Sequence, residues 1–406
     1  MNNNNEAIRI RSATADDWRA IFDTHARAFG NSAAPADLAA WKRRVDPDDI
    51  LVAEDLRDPD RPFLVGTAMY YRMRMTVTGG TIPIAGGGMT LVAATHQRRG
   101  IFRKMYTELL ALVADRGYLA IAGMPSKATI YGRFGLGVAT YRRRFEIDRR
   151  HAELRLRPST PSRAREVNAD EAILRLPGIY ERWHARTAGS VSRDDAWWTD
   201  LIEDRITQRR NRSPLFFIIH PDGYITYRIT PNTSGGVVSV EDFCTITDDA
   251  HTELLQALLG LEMFDTAHVE AAADDPLALK LSDLRAARTT AVEDHLWLRI
   301  MDVPAALTAR QYCADAALVI EVEDPLDRAG GRFRVDIHNG VADCSRTDDS
   351  PDVRIGLADL GSLYLGGHSA SGLASAGRLT ELRAGTVETV DRMFRAERQP
   401  FCGTSF

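Results

Sequence analysis

The most constraining stretch of the chain runs from residue 81 to residue 115. Thr81–Ala94 reads as a strand, yet it carries Gly86-Gly-Gly88 in its interior. Three glycines there predict a bulge, or the close approach of another backbone. Ile101–Asp115 reads as an amphipathic helix, with Ile101, Met105, Leu109, Leu112 and Val113 on one face and Gly117 just past its end. The connection between them is Gln97-Arg-Arg-Gly100. A strand that passes through a basic, glycine-bearing loop into a helix start puts free main-chain N–H groups and the positive end of a helix dipole in one place, which suits a pyrophosphate. Gly100 lets a ligand come close, and Arg98, Arg99 and Arg103 add countercharge. The tetrad alone would serve equally as a basic turn with no ligand; the strand before it and the helix after it favour phosphate binding. Gln208-Arg-Arg-Asn211 is a useful contrast. It lacks the glycine and follows a helix before a strand, the wrong order for that role, and it reads as a solvated loop.

A chain of 406 residues, at about 150 residues per domain, is expected to form two or three domains. The first block is an α+β pattern. It has a short strand from Ile8, a cap at Thr14-Ala-Asp-Asp17 before a helix that turns Trp18, Ile21 and Phe22 inward, and strands at Ile50–Glu54 and Pro62–Thr78. After the 81–115 unit come a short strand at Leu119–Ala122, a helix near Ala128–Phe134 and a strand at Val138–Ile147. The polar, proline-bearing Pro158–Ser162 marks a boundary. A second α+β block follows, with helices carrying Ile179, Tyr180 and Trp183 and spanning Ala196–Gln208. It continues with strands at Leu215–His220, Tyr224–Ile229 and Val237–Phe243, and a helix at Asp249–Phe264. A third begins near Asp302-Val-Pro304, with a helix at Ala305–Tyr312, strands at Ala317–Val322 and Gly331–Ile337, and a helix from Ala358.

Composition narrows the function classes. The hydrophobic fraction is 44% and the charged fraction 26%, with a net charge of −5, which argues against a dedicated nucleic-acid binder. Four cysteines without CxxC spacing are expected as reduced thiols. No signal-peptide pattern and no apolar run of membrane-spanning length is seen, so a cytoplasmic protein is expected. The histidines show no metal-ligand spacing, and no metal is expected. Arg142-Arg-Arg144 reads as a solvated strand edge, and Asp348-Asp349 as a polar loop.

The second chemical signal is Ala122-Gly-Met-Pro-Ser-Lys-Ala-Thr-Ile-Tyr131. A strand ends, a loop offers Ser126, and a short helix presents Tyr131. A phenol there could donate a proton to a departing thiolate, whose conjugate thiol has a pKa of about 8.5. Tyr131 could also be a packing aromatic with a satisfied hydroxyl.

The strand–Gln97-Arg-Arg-Gly100–helix unit resembles the coenzyme A loop, Q/R-x-x-G-x-G/A, of GNAT acetyltransferases, with Phe102 in place of the last small residue. With Ile130-Tyr-Gly-Arg-Phe-Gly135, Ile179-Tyr-Glu-Arg-Trp183, His220-Pro-Asp-Gly-Tyr224, Leu296-Trp-Leu-Arg-Ile-Met301, Pro304-Ala-Ala306 and Gly361-Ser-Leu-Tyr-Leu-Gly366, nearly the whole chain, from Asp16-Asp-Trp18 to Phe406, resembles the Eis (enhanced intracellular survival) N-acetyltransferases of mycobacteria and relatives. The resemblance implies an α+β chain of tandem GNAT-like domains and a sterol-carrier-protein-like C-terminal domain. The expected spans are a catalytic domain at 1–150, a second without a cofactor site at 151–301, and a third at 302–406 whose end reaches the active site. It implies acetyl-CoA as co-substrate, held by Thr90, Leu91, Val92, Arg98, Arg99, Gly100, Ile101, Phe102, Arg103, Ser126 and Lys127. It implies Tyr131 as general acid and the terminal carboxylate of Phe406 as general base. Asn31, Trp41, Trp198 and Ser405 fall at substrate-pocket positions, with Asn31 and Ser405 standing where relatives carry acids. A homohexamer that acetylates several amines of one polyamine, typically an aminoglycoside, is implied. Acetylation of protein or peptide lysines, and non-catalytic binding of acyl-CoA or lipid, remain alternatives.

Overall fold

The computed structural model describes residues 7–31, 34–57, 63–156, 162–231 and 236–406. Pro62 and all but the last residue of Pro158–Ser162 lie outside them.

Strands β1 (Ile8–Ser12), β2 (Ile50–Asp55), β3 (Phe63–Val77), β4 (Gly80–Val92), β5 (Ala120–Gly123) and β6 (Gly137–Val138) belong to a first sheet. Strands β7 (Tyr141–Asp148), β8 (Arg165–Val167), β9 (Phe216–His220), β10 (Gly223–Thr230), β11 (Val237–Thr245), β12 (Thr266–Ala272) and β13 (Ala287–Asp294) form a second. β14 (Trp297–Ile300) returns to the first sheet, between β5 and β6. β15 (Ala316–Glu323), β16 (Gly331–His338), β17 (Val341–Arg346), β18 (Val353–Gly356) and β19 (Leu379–Glu381) make the third.

The single strand expected at Val138–Ile147 is therefore two strands in two sheets. Ala139 N–H donates to the Leu296 carbonyl at 2.8 Å and Leu296 N–H to Thr140 Oγ1 at 3.1 Å, which pins the chain where it leaves one sheet for the next. Apolar alternation continues through this corner, so the pattern alone does not show it. The first two sheets thus exchange strands, with β7 crossing one way and β14 the other, and the divisions at 150 and 301 follow chain order rather than sheet membership. The crossing also corrects the reading of Arg142-Arg-Arg144 as a solvated edge. β7 lies between β13 and β12, and Arg142 and Arg144 pair across both neighbours with Glu270 and Glu293.

Six helices position the site: α1 (Trp18–Phe29), α2 (Pro35–Lys42), α3 (Ile101–Asp115), α4 (Ala128–Tyr131), α5 (Ala169–His184) and α6 (Asp195–Glu203). α3 has the predicted bounds and buries Ile101, Met105, Tyr106, Leu109, Leu110 and Val113. Each such burial contributes about 1.5–3 kcal/mol, which fixes the helix, and its N-terminus, against the first sheet. The helix predicted through Gln208 breaks at Asp204, which adopts φ 42°. Its buried carboxylate accepts the Leu215 N–H at 3.0 Å and pairs with Arg228 at 2.6 Å. The helix predicted to run to Phe264 stops at Leu259.

The third domain docks on the first through two glycines. A Cβ on Gly137 would sit 1.8 Å from the Ala358 carbonyl oxygen, and one on Gly361 would lie 2.4 Å from that of Leu298. Beside this contact Arg299 and Asp324, both fully buried, form a two-pronged ion pair at 2.9 and 2.8 Å. Past residue 394 the chain has no regular structure, and it runs back to the junction of the first two domains, where Phe401 N–H donates to the Ala188 carbonyl at 2.8 Å. All four cysteines are free. Among the described residues no helix is long and apolar enough to cross a membrane, and no three His, Cys, Asp or Glu side chains cluster as metal ligands.

Candidate active site

Two of the three glycines of β4, Gly86 and Gly88, make room for the end of the chain, while Gly87 packs against Ile121. A Cβ on Gly86 would lie 3.2 Å from the Phe406 ring, and one on Gly88 would lie 3.7 Å from the Phe406 carboxyl carbon. Phe406 meets Tyr71 edge-on at 6.4 Å. The predicted bulge is also present. The β3–β4 register slips between Thr67 and Met69, and Met89 takes φ 51°. Parallel pairing of β4 with β5 ends at Gly86–Ala122. Beyond it the strands part around a cavity of about 260 Å³.

Asn31, Thr90, Ser126, Tyr131 and Phe406, five of the expected site residues, line this cavity together. Tyr131 is held by aromatic edges, with Phe102 at 5.8 Å and Tyr106 at 5.6 Å. Phe102, the departure from the small-residue motif, stacks on Tyr106 at 5.7 Å and thereby braces Tyr131. The Tyr131 hydroxyl has no hydrogen-bond partner among the described residues, and burial raises its pKa. The phenol lines the cavity.

The expected coenzyme loop lies next to it. Arg98 and Gly100 adopt left-handed backbone, with φ 61° and 77°, and Gly100 is the N-cap of α3 with no side chain capping the first amides. Arg98, Gly100 and Arg103 are exposed, whereas Arg99 and Phe102 are half-buried. Uncapped N–H groups beside exposed guanidiniums fit a pyrophosphate. Leu91 and Ile101 are buried and Val92 half-buried; these side chains pack in the protein, so any ligand contact there is through main chain. Lys127 caps α4 and is exposed at the rim.

A second, open cleft of about 560 Å³ adjoins the cavity and shares His25, Asn31 and Met89 with it. Trp41 and Ser405 line this cleft as expected. Trp198 does not. It is buried in the second domain, edge-on to Tyr180 at 5.5 Å, and its neighbour Trp197 faces the cleft instead. One step along α6 turns a side chain by about 100°, which separates an inward from an outward tryptophan.

Three residues that sequence reasoning missed complete the site. His25 is 5% exposed with an unpartnered Nε2, and burial holds its imidazole neutral, with a pKa lowered to about 4. It continues the inward stripe of Trp18, Ile21 and Phe22 and could have been found from that periodicity. Arg193 and Asp242, both buried, pair at 2.6 and 2.9 Å. Arg193 also donates to Thr404 Oγ1 at 2.9 Å and to the Gly403 carbonyl at 3.1 Å, and so fastens the tail that carries Phe406. Their separation of 49 residues leaves no local signal.

Comparison with known proteins agrees with this architecture. Residues 9–139 and 189–300 each match the family described as Acetyltransferase (GNAT) domain, and residues 303–403 match the Sterol carrier protein domain. Over 400 residues the chain is 37% identical to N-acetyltransferase Eis of Mycobacterium bovis (strain BCG / Pasteur 1173P2), covering 96% of this chain and 97% of that one. It is 33% identical to an uncharacterized N-acetyltransferase of Streptomyces griseus subsp. griseus, over 92% and 98% of the two chains. The crystal structure of Eis1 from Mycobacterium abscessus superposes with a TM-score of 0.86 at 33% identity, over 98% of this chain and all of that one. Two acetyltransferase domains and a sterol-carrier domain around one cavity define a GNAT-type N-acetyltransferase. The chain belongs to the Eis family of N-acetyltransferases.

Proposed function

We propose that the protein transfers the acetyl group of acetyl-CoA to a primary amine of a small molecule, with the reaction centred on the cavity between β4 and β5. The observation that carries this reading is the convergence of Tyr131 and Phe406, 275 positions apart in the sequence, on one cavity beside the α3 loop. Acetyl-CoA supplies the acetyl group as a thioester. Arg98, Arg99, Arg103 and the first amides of α3 hold its phosphates, and Ser126 and Lys127 flank its path. The main chain of Thr90–Val92, at the bulge, polarises the carbonyl. The Phe406 carboxylate takes the proton of the incoming ammonium as general base. Tyr131 delivers a proton to the departing sulfur. His25, kept neutral, can accept a hydrogen bond from the amine.

Polyamine acetylation at several positions, with aminoglycosides as acceptors, and a homohexameric assembly are the finer expectations carried by the Eis resemblance. Thiol release from acetyl-CoA against aminoglycosides, linear amines and lysine peptides tests the substrate, and native mass tests the assembly. Turnover with at least one small amine is expected. Binding of acetyl-CoA without turnover of any amine would leave the non-catalytic reading in place.

A further inference from the structure

We infer that the preferred acceptor is an amine that also bears an anionic group, a carboxylate or phosphate, recognised by arginines of the open cleft. This rests on the acetyltransferase reading above and names the substrate class for the same site. The cleft adjoins the cavity, with His25, Asn31 and Met89 lining both, so an acceptor seated in the cavity extends into it.

Its charge is the wrong sign for a polycation. Three acids line it, and every one is already engaged. Asp37 accepts from Arg205 at 2.7 Å and from Thr207 at 2.7 Å. Asp200 accepts from Arg44 at 3.0 Å and also from Arg205. Glu241 is paired with Arg212. Against them stand five lining guanidiniums: the three partners Arg44, Arg205 and Arg212, with Arg210 and Arg228. Arg228 takes its countercharge from Asp204 behind the wall. Arg210 is exposed and has no partner among the described residues. Asn31 and Ser405, on the same walls, add no charge, and His25 is neutral.

Two of these guanidiniums are held rigidly in the cleft wall. The buried Nε–H groups of Arg44 and of Arg228, the latter 5% exposed, have no hydrogen-bond acceptor. Arg44 is fixed in place by stacking 3.5 Å over Trp197. A cleft with surplus positive charge attracts anions and repels ammonium groups.

The test uses linear amines of graded length in three matched sets: ω-amino carboxylates, n-alkylamines and α,ω-diamines. The kcat/KM of each is read by thiol release from acetyl-CoA at low ionic strength. The best amino carboxylate is expected to exceed the alkylamine of its length by about tenfold, with the diamine lowest. Arg210→Glu should lower kcat/KM for the amino carboxylate by about tenfold and raise it for the diamine. Arg334→Glu, the same reversal on β16 of the third sheet, should leave the ranking as in wild type. Should Arg210→Glu fail to fold, Arg212→Gln, which releases Glu241, is expected to shift the ranking in the same direction. Diamines as the best wild-type substrates, or a ranking unmoved by both variants, overturn the inference while leaving acetyl transfer standing. No turnover of any amine, with acetyl-CoA still raising Tm, removes the acetyltransferase reading and this one with it.

Discussion

Replacing Thr404 with valine tests whether the tail is held in place for catalysis. Thr404 is 1% exposed, and its Oγ1 sits 2.9 Å from Arg193 Nε and 3.0 Å from the Tyr180 hydroxyl. Valine keeps the shape and removes both bonds. A hydrogen bond from a charged donor contributes about 1.5–3 kcal/mol and a neutral one about 0.5–1.5, so the loss is about 2–4 kcal/mol. The Arg193–Asp242 pair stays intact, and the cost falls on docking of the last residues rather than on the fold. The docking equilibrium constant therefore falls by roughly thirty- to a thousand-fold, and kcat falls by at most that factor, the full factor being reached when wild-type docking is near balance. Steady-state thiol release measures kcat, Tm reports the fold, and carboxypeptidase trimming reports the tail. The expected result is a fall in kcat and faster trimming with Tm nearly unchanged. Faster trimming together with wild-type kcat would refute the reasoning, since a loosened tail would then be catalytically silent.

Tyr131→Phe should lower kcat by about 10²–10⁴ without changing the KM for acetyl-CoA; a comparable rise in that KM instead would make Tyr131 a packing residue. Arg299→Leu leaves Asp324 buried without its partner and should cost about 3–5 kcal/mol, read as a lower denaturation midpoint. His25, His184 and His295 all have pKa values lowered to about 4 by burial, against about 6.5 unfolded. Since the unfolded chain binds these protons first, their stabilisation is complete above pH 6.5. It is lost as pH falls toward 4, on the order of 2 kcal/mol for each by pH 4.5; urea midpoints that stay flat from pH 7 to pH 4.5 would contradict this.

Much of this was legible from local pattern. The 81–115 unit showed itself because bulge glycines, a basic loop and an amphipathic stripe are each written in consecutive residues, and α3 has the bounds its periodicity predicts. The glycines even announced a close approach, although not that the approaching group was Phe406. What local pattern could not show is what depends on tertiary connection. β6 and β7 share one run of alternating residues, and only the pairing of Leu296 with Ala139 and Thr140 divides them. Arg193 finds Asp242 and Gly403 across the chain, and no spacing rule connects them. Trp198 and Trp197 differ only by one residue step along α6, so position in the sequence could not say which one faces the cleft.

The most direct test of the central claim concerns the carboxylate of Phe406. Cys402 lies four residues before the end, so a synthetic Cys402–Phe406 peptide can be ligated to the rest of the chain with its last carboxylate either free or converted to a carboxamide. The amide keeps the ring against Gly86 and changes only the group that takes the proton. The account predicts that the free-acid product is active, and that the carboxamide loses about 10²–10⁴ in kcat while acetyl-CoA still binds. A carboxamide that turns over amines as fast as the free acid would contradict it.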